Sequence, residues 1–287
     1  MENVTYSIVP TKNSTIPGSK HSVYELVHPV FRLNEQGIPI ELIGSCAQIA
    51  RMGIYLTAAH LFPIFESLNG ERRKPEILQR RILLREEDNR IGIFKRNNLE
   101  SFSFHKAHSV NVFFHHDIAI IHVIHDSPDP LPPGPRLPIK EDVAKGAGIT
   151  VLGYPASSNQ FKVECDENNK IKVVHFTPSM VKSEGKVVDL HPNGESNSIC
   201  FFPTIESDAK TEPGHSGGPV MTNDFGLIGI CSSSFDDGNS QFAWISKVLD
   251  EEFSSPGLSI TAEDGTQTNC TKITLRKLME KDILGTI

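Results

Sequence analysis

The sequence holds no apolar run long enough to span a membrane, and Met1-Glu2-Asn3-Val4 lacks the basic segment and apolar stretch of an export signal. Neither membrane residence nor secretion is expected. Cysteine is scarce: Cys46, Cys165, Cys200, Cys231 and Cys270 are five, an odd number, without the spacing of a zinc module. Free thiols are the simpler reading of that count. Positive charge is not in excess, since 28 Lys and Arg face 35 Asp and Glu for a net charge of −7. That balance gives no general attraction to nucleic acid. Residues 71–96 run locally the other way, with nine Lys or Arg against five acids, and read as a solvated loop and strand face. Helical periodicity is also rare. Short β-branched and apolar runs separated by Gly, Pro and Asn recur instead, which predicts an all-β barrel or sandwich. At 287 residues and 38% hydrophobic, the chain can bury a large core, as one domain or two joined halves.

The chain divides on composition. Residues 1–22 form a polar, weakly structured lead-in, and 23–126 carry a first set of strands. Residues 127–145 begin with Pro128, Pro130, Pro132, Pro133, Pro135 and Pro138, too many missing N–H groups for a central sheet, and serve as a linker. A second strand set occupies 146–250, with candidates that include Phe161 to Glu164, Gly185 to Leu190 and Ser198 to Pro203. The extension 251–287 ends in Ile273 to Leu284, where Leu275, Leu278, Met279 and Ile283 suit an amphipathic terminal helix packed on the barrel.

The most informative stretch is Ser207 to Val220, SDAKTEPGHSGGPV. Glycines around Ser216 allow close approach of backbone to a substrate and a turn tight enough to aim two N–H groups at one point. Ser216 is a candidate nucleophile. A serine hydroxyl needs a general base, and the base needs a third group to fix its tautomer. Thr57-Ala58-Ala59-His60 ends a strand-like run and Asp117-Ile118-Ala119-Ile120-Ile121 opens another, which supplies both candidates.

At these three places the chain resembles the trypsin-like serine peptidases: GHSGGP is similar to the family's GxSGGP, TAAH to its histidine motif and DIAII to its aspartate motif. The order His, Asp, Ser is that of the chymotrypsin-like arrangement. Gly148-Ile149-Thr150-Val151-Leu152-Gly153-Tyr154-Pro155 resembles the corresponding segment of HtrA-type and other bacterial-style members. The resemblance implies two six-stranded antiparallel β-barrels over about residues 23–250, with the active site in the cleft between them. It implies a serine endopeptidase working through an acyl-enzyme, with catalytic His60, Asp117 and Ser216 and an oxyanion hole from the N–H groups of Gly214 and Ser216. Ser232 then falls where a serine supports the buried aspartate. An edge-strand hydroxyl facing substrate backbone is the other reading of that residue. The pocket involves Lys210, Thr211 and Glu212 before the nucleophile, with Ser233 and Ser234.

Two departures matter. Leu61 follows His60 where many secreted members carry a bridging cysteine, and His215 stands where digestive members carry the acid that pairs with a freed amino terminus. The missing bridge implies a reducing cytoplasm, and zymogen activation is not expected. No cofactor is expected, and no metal: His105 and His108, His115 and His116, and His122 and His125 are close pairs without an HExxH helix. His116 reads as an exposed strand-end residue. Partners are a polypeptide substrate and, as an open alternative, a regulatory protein, without nucleic acid or membrane. A catalytically quiet binding module and a protease active only with a partner are the competing functions.

Overall fold

β-Branched and aromatic runs become strands almost throughout the computed structural model, which describes residues 5–8, 26–50, 53–62, 81–85, 90–96, 102–123, 137–168, 170–194, 202–234, 238–254, 259–261, 267–269, 272–280 and 285–286. The first strand, β1 (Thr5–Ile8), already departs from the weakly structured lead-in expected over 1–22. Its β-prone TYSI sequence is recruited as a parallel partner by a strand of the second half.

The first half follows with β2 (Val27–Leu33), β3 (Pro39–Ala50), β4 (Ile54–Ala58), β5 (Arg81–Arg85), β6 (Ile91–Arg96), β7 (Phe102–Lys106), β8 (Ser109–Phe113) and β9 (Ile118–His122). They form one antiparallel sheet in the order β5-β8-β9-β4-β3-β2-β6-β7. Every residue of β4, β8 and β9 is buried, as their largely apolar sequences require, because both faces are covered. Their core joins Val30, Cys46, Tyr55, Ile93, Val110, Val112, Ala119 and Ile121.

After β10 (Pro138–Ile139), the second half contains β11 (Gly148–Gly153), β12 (Gln160–Cys165), β13 (Ile171–Thr177), β14 (Val181–His191), β15 (Thr204–Ser207), β16 (Pro219–Thr222), β17 (Leu227–Ser234) and β18 (Ser240–Trp244). Here the sheet closes: β16-β11-β14-β15-β18-β17 returns to β16, a six-stranded barrel. Ile149, Val151, Val187, Ile205, Val220, Ile228 and Phe242 fill it. The first half is larger than expected, with eight strands, and no closing pair between β5 and β7 occurs among the described residues.

Two apolar contacts dock the halves. Leu56, Ile118 and Ile120 share a cluster with Leu152, Met221, Leu227 and Ile230. The β12–β13 hairpin also leans back onto the first half, where Phe176 meets Phe31 edge-on at 5.1 Å and Phe94 at 5.8 Å. Phe161 joins at 5.2 Å from Phe31.

Other boundaries move for local reasons. The expected strand at Ser198 to Pro203 begins instead at Thr204, past a proline that cannot donate to the ladder, and residues 195–201 lie outside the described residues. Within the proline-rich linker, 127–136 lie outside the described residues, and Pro138 opens a two-residue strand, where its missing N–H is tolerated. The terminal helix, described over Leu275–Glu280, starts two residues later than the expected 273, because Ile273 and Thr274 pair as a strand with Glu252–Phe253, and residues 281–284 lie outside the described residues. Leu275 and Leu278 are buried in the shared core with Met279 packed beside them, and Ile283 lies outside the described residues. No helix among the described residues is long and apolar enough to cross a membrane.

Candidate active site

His60 and Asp117 lie past one end of a strand pair. β4 and β9 are antiparallel with Ala58 opposite Ile118, so the residues just outside that rung are brought together. The chain leaves β4 in a single 3-10 turn, Ala59–Leu61, which carries His60. Another 3-10 turn, Phe114–His116, leads to Asp117 in the left-handed region at φ 49°, which a short polar side chain tolerates better than most. The Ala59 N–H donates to the Asp117 carbonyl at 3.2 Å.

The Asp117 carboxylate receives the His60 backbone N–H on Oδ1 at 2.9 Å and the ring at Nδ1 from 2.9 Å to Oδ2 and 3.1 Å to Oδ1. An ionised carboxylate only accepts, so Nδ1 holds the proton and Nε2 keeps a lone pair. Burial of the ring disfavours its charged form, but the adjacent carboxylate outweighs this and raises the His60 pKa above the ordinary imidazole value. Asp117 keeps 7% of its side-chain area exposed and His60 39%, so the carboxylate is sheltered while the ring reaches the surface. Asp117 Oδ2 also receives the hydroxyl of Ser232.

Ser216 sits on a loop anchored to β17 by Gly217 N–H to Cys231 O and Cys231 N–H to Gly218 O, each 2.8 Å. Gly214 has φ +100° and Gly217 φ +84°, both in the region that favours glycine. A Cβ on Gly217 would lie 2.1 Å from both Ser45 O and Thr57 Oγ1, so the loop requires glycine for space as well. The N–H groups of Gly214 and Ser216 donate to no group among the described residues, whereas His215 N–H is taken by Glu212 O at 3.0 Å. The Ser216 hydroxyl donates to the Ser232 carbonyl at 3.3 Å and makes no hydrogen bond to His60. Ser232 therefore touches both of the groups that the sequence reading placed with His60.

Sequence reasoning missed Ser45. Its backbone N–H donates to Ser216 O at 2.8 Å, its hydroxyl donates to Gly214 O at 2.8 Å, and that hydroxyl accepts the Tyr154 N–H at 2.8 Å. One residue of the first half thereby holds both ends of the Gly214–Ser216 segment. His215 is buried beneath the same segment, with Nδ1 accepting the Glu212 N–H at 3.2 Å and Nε2 without a partner. Burial lowers its pKa, and the backbone of Glu212 opposes that only in part.

Among the expected pocket residues, Lys210 is exposed, and Thr211 shares a hydrogen bond of 2.8 Å with Ser240, whose hydroxyl donates to Ala209 O. Ser233 and Ser234 extend β17 opposite Gln241 and Ser240. The described cysteines Cys46, Cys165 and Cys231 are free thiols, and burial pushes the Cys231 pKa up to about 12.

His116 is not the exposed strand-end residue expected. It keeps 12% of its side-chain area exposed and turns with His115 toward Glu251, which lies past the second barrel. Burial, then the neighbouring His115, lowers the His116 pKa to about 4, with Glu251 opposing.

The family model for the trypsin-like peptidase domain matches residues 44–230, which contain His60, Asp117 and Ser216. No curated protein sequence matches. Among solved structures, the chain is similar to the Rv3671c protease from M. tuberculosis in its active form, with TM-score 0.51 and 16% identity over 78% of each chain. The inactive form of the Rv3671c protease matches at TM-score 0.48 and 16% identity, covering 78% of this chain and 86% of that one. At this identity the likeness concerns the fold.

Proposed function

This chain belongs to the trypsin-like peptidase family and is a serine endopeptidase; we propose that it cleaves polypeptides with Ser216 as nucleophile, His60 as general base and acid, and Asp117 as the group that orients the imidazole. The observation that carries this reading is the doubly bonded His60–Asp117 pair, with Nδ1 and the backbone N–H both on one carboxylate.

In the proposed reaction, Nε2 of His60 removes the Ser216 proton as Oγ attacks the scissile carbonyl carbon. The developing oxyanion accepts the N–H groups of Gly214 and Ser216, which have no competing acceptor among the described residues. Collapse expels the amine, which takes the proton from His60, and leaves an ester on Ser216. A water that gives its proton to His60 then attacks the ester carbonyl, and collapse expels Ser216 Oγ, which takes that proton back from His60 as the acid product leaves. Asp117 stays ionised throughout and stabilises the imidazolium. Free thiols at Cys46, Cys165 and Cys231 favour a reducing compartment.

A second reading, a peptidase completed by substrate or by a partner protein, has the Ser216–Ser232 hydrogen bond in its favour, because the nucleophile must rotate away from that carbonyl to meet His60. Labelling by a peptidyl phosphonate tests both. Ser216→Ala should abolish labelling and turnover, and labelling that persists in that variant would overturn the assignment. Faster labelling of the wild-type protein by longer peptidyl probes, at equal reactivity of the phosphonate, is the expected sign of completion by substrate.

A further inference from the structure

Outside the cleft, one group of side chains has the composition and spacing of a metal site. His115 Nε2 lies 3.3 Å and His116 Nε2 3.5 Å from the same Glu251 oxygen. The three ligand atoms fall within 4.8 Å of one another. Ligands held at zinc bond lengths in a tetrahedral shell are separated by about 3.3 Å, so the two histidine–glutamate separations are already those a bound ion would impose and the two imidazoles need move together by no more than a small shift. We propose that His115, His116 and Glu251 bind a divalent cation of the zinc class, which pins the turn leading to Asp117 to the segment that follows the second barrel.

The chemistry of the donors selects the ion. Two imidazoles and a carboxylate suit zinc, whereas magnesium and calcium require shells made of oxygen. Three protein ligands leave a fourth position for water. The frame is also in place without metal, because Asn111 of β8 donates to Ser254 O at 2.6 Å and accepts Ser254 N–H at 2.9 Å, which fixes the Glu251 segment against the same strand end. Little chain ordering then remains for the ion to impose. Without metal each Nε2 carries the proton it donates to Glu251, and because both Nδ1 atoms are buried without hydrogen-bond partners, nothing prevents that proton from moving to Nδ1 as the ion takes its place on Nε2. The same lack of an outer shell places the affinity below that of sites whose imidazoles are supported from behind.

The test uses the full chain carrying His60→Ala, which removes the cleft imidazole as a rival ligand. Metal is stripped with a chelator, and Zn²⁺ is titrated by calorimetry and Co²⁺ by absorption. One equivalent should bind, with the intense visible bands of four-coordinate cobalt. Loss of a ligand should weaken binding at least as much as loss of an outer-shell partner, about tenfold or more, in both Glu251→Gln and the half-exposed His115→Gln. Zn²⁺ should also raise the melting temperature of the unsubstituted protein more than Mg²⁺ does, a comparison that needs no variant to fold. Absence of binding, a weak six-coordinate cobalt spectrum, or affinity unchanged in both ligand variants would overturn the proposal.

Discussion

Ser232 donates its hydroxyl to Asp117 across 115 positions of sequence, joining β17 of the second barrel to the buried carboxylate of the first half. The bond does two things at once. It satisfies a carboxylate lone pair that water cannot reach, and it fixes the carboxylate plane against which the His60 ring is aligned. A hydrogen bond to a charged group contributes about 1.5–3 kcal/mol. Ser232→Ala should therefore lower kcat by roughly ten- to a hundredfold with KM little changed, since the carbonyl at that position remains. Steady-state kinetics on a peptide substrate checks this. An unchanged kcat would assign the hydroxyl to fold stability alone.

Ser45 acts on the other side of the nucleophile. Its hydroxyl bridges the Gly214 carbonyl and the Tyr154 N–H, so truncation leaves two backbone groups without their partner. Each such loss costs about 1–3 kcal/mol where water is excluded. Ser45→Ala should reduce kcat by at least tenfold and lower the melting temperature, while Ser45→Thr, which keeps the oxygen, should recover part of both. Recovery of stability without recovery of kcat would show that the hydroxyl does not position the oxyanion loop.

The contrast between Ser232 and Ser45 marks what could be read in the chain. Motifs that are local, such as GHSGGP and TAAH, carry their chemistry in consecutive residues, and Ser232 could be reached by counting along one strand from the nucleophile loop. Ser45 could not, because its role exists only after the halves dock and bring it to a carbonyl 169 positions away. Glu251 was hidden for the same reason, being 136 positions from His115. Strand content was legible in β4, β8 and β9, whose residues are all buried. The β1 pairing was not, since four residues in a polar lead-in show nothing of the strand that recruits them. His215 was legible as a departure from the family's acid, but its buried, half-satisfied ring required the fold.

Phe176 has a role that depends on geometry alone. It is 1% exposed and packs against both Phe31 and Phe94, which also touch each other, so a hairpin of the second half is fastened to the first by its ring. Truncation of a buried phenylalanine costs about 3–5 kcal/mol. Phe176→Ala should show that loss in urea unfolding, whereas Val188→Ala on the same half, 45% exposed, should change stability by less than about 0.5 kcal/mol. Equal effects would mean that the aromatic cluster does not couple the halves.

Two histidines make opposite contributions to pH dependence. The His60 pKa is raised by Asp117, so the protonated pair adds stability that is fully present below the unfolded value of about 6.5 and is lost as pH rises through the higher folded value. Catalysis needs the neutral ring, and kcat/KM should fall as pH drops through an apparent pKa above about 6.5. His215 runs the other way, since burial lowers its pKa. Its contribution is complete above about 6.5 and is lost as pH falls from there toward the folded value, because the unfolded chain takes up the proton first. His215→Asn removes that titration. Denaturant unfolding between about pH 5 and 8 should show the wild-type protein losing stability relative to the variant on acidification, while the acid limb of kcat/KM, set by His60, stays where it was. Parallel stability curves would show that the buried His215 ring is not neutralised by its surroundings, and a shifted acid limb would place it in electrical contact with His60.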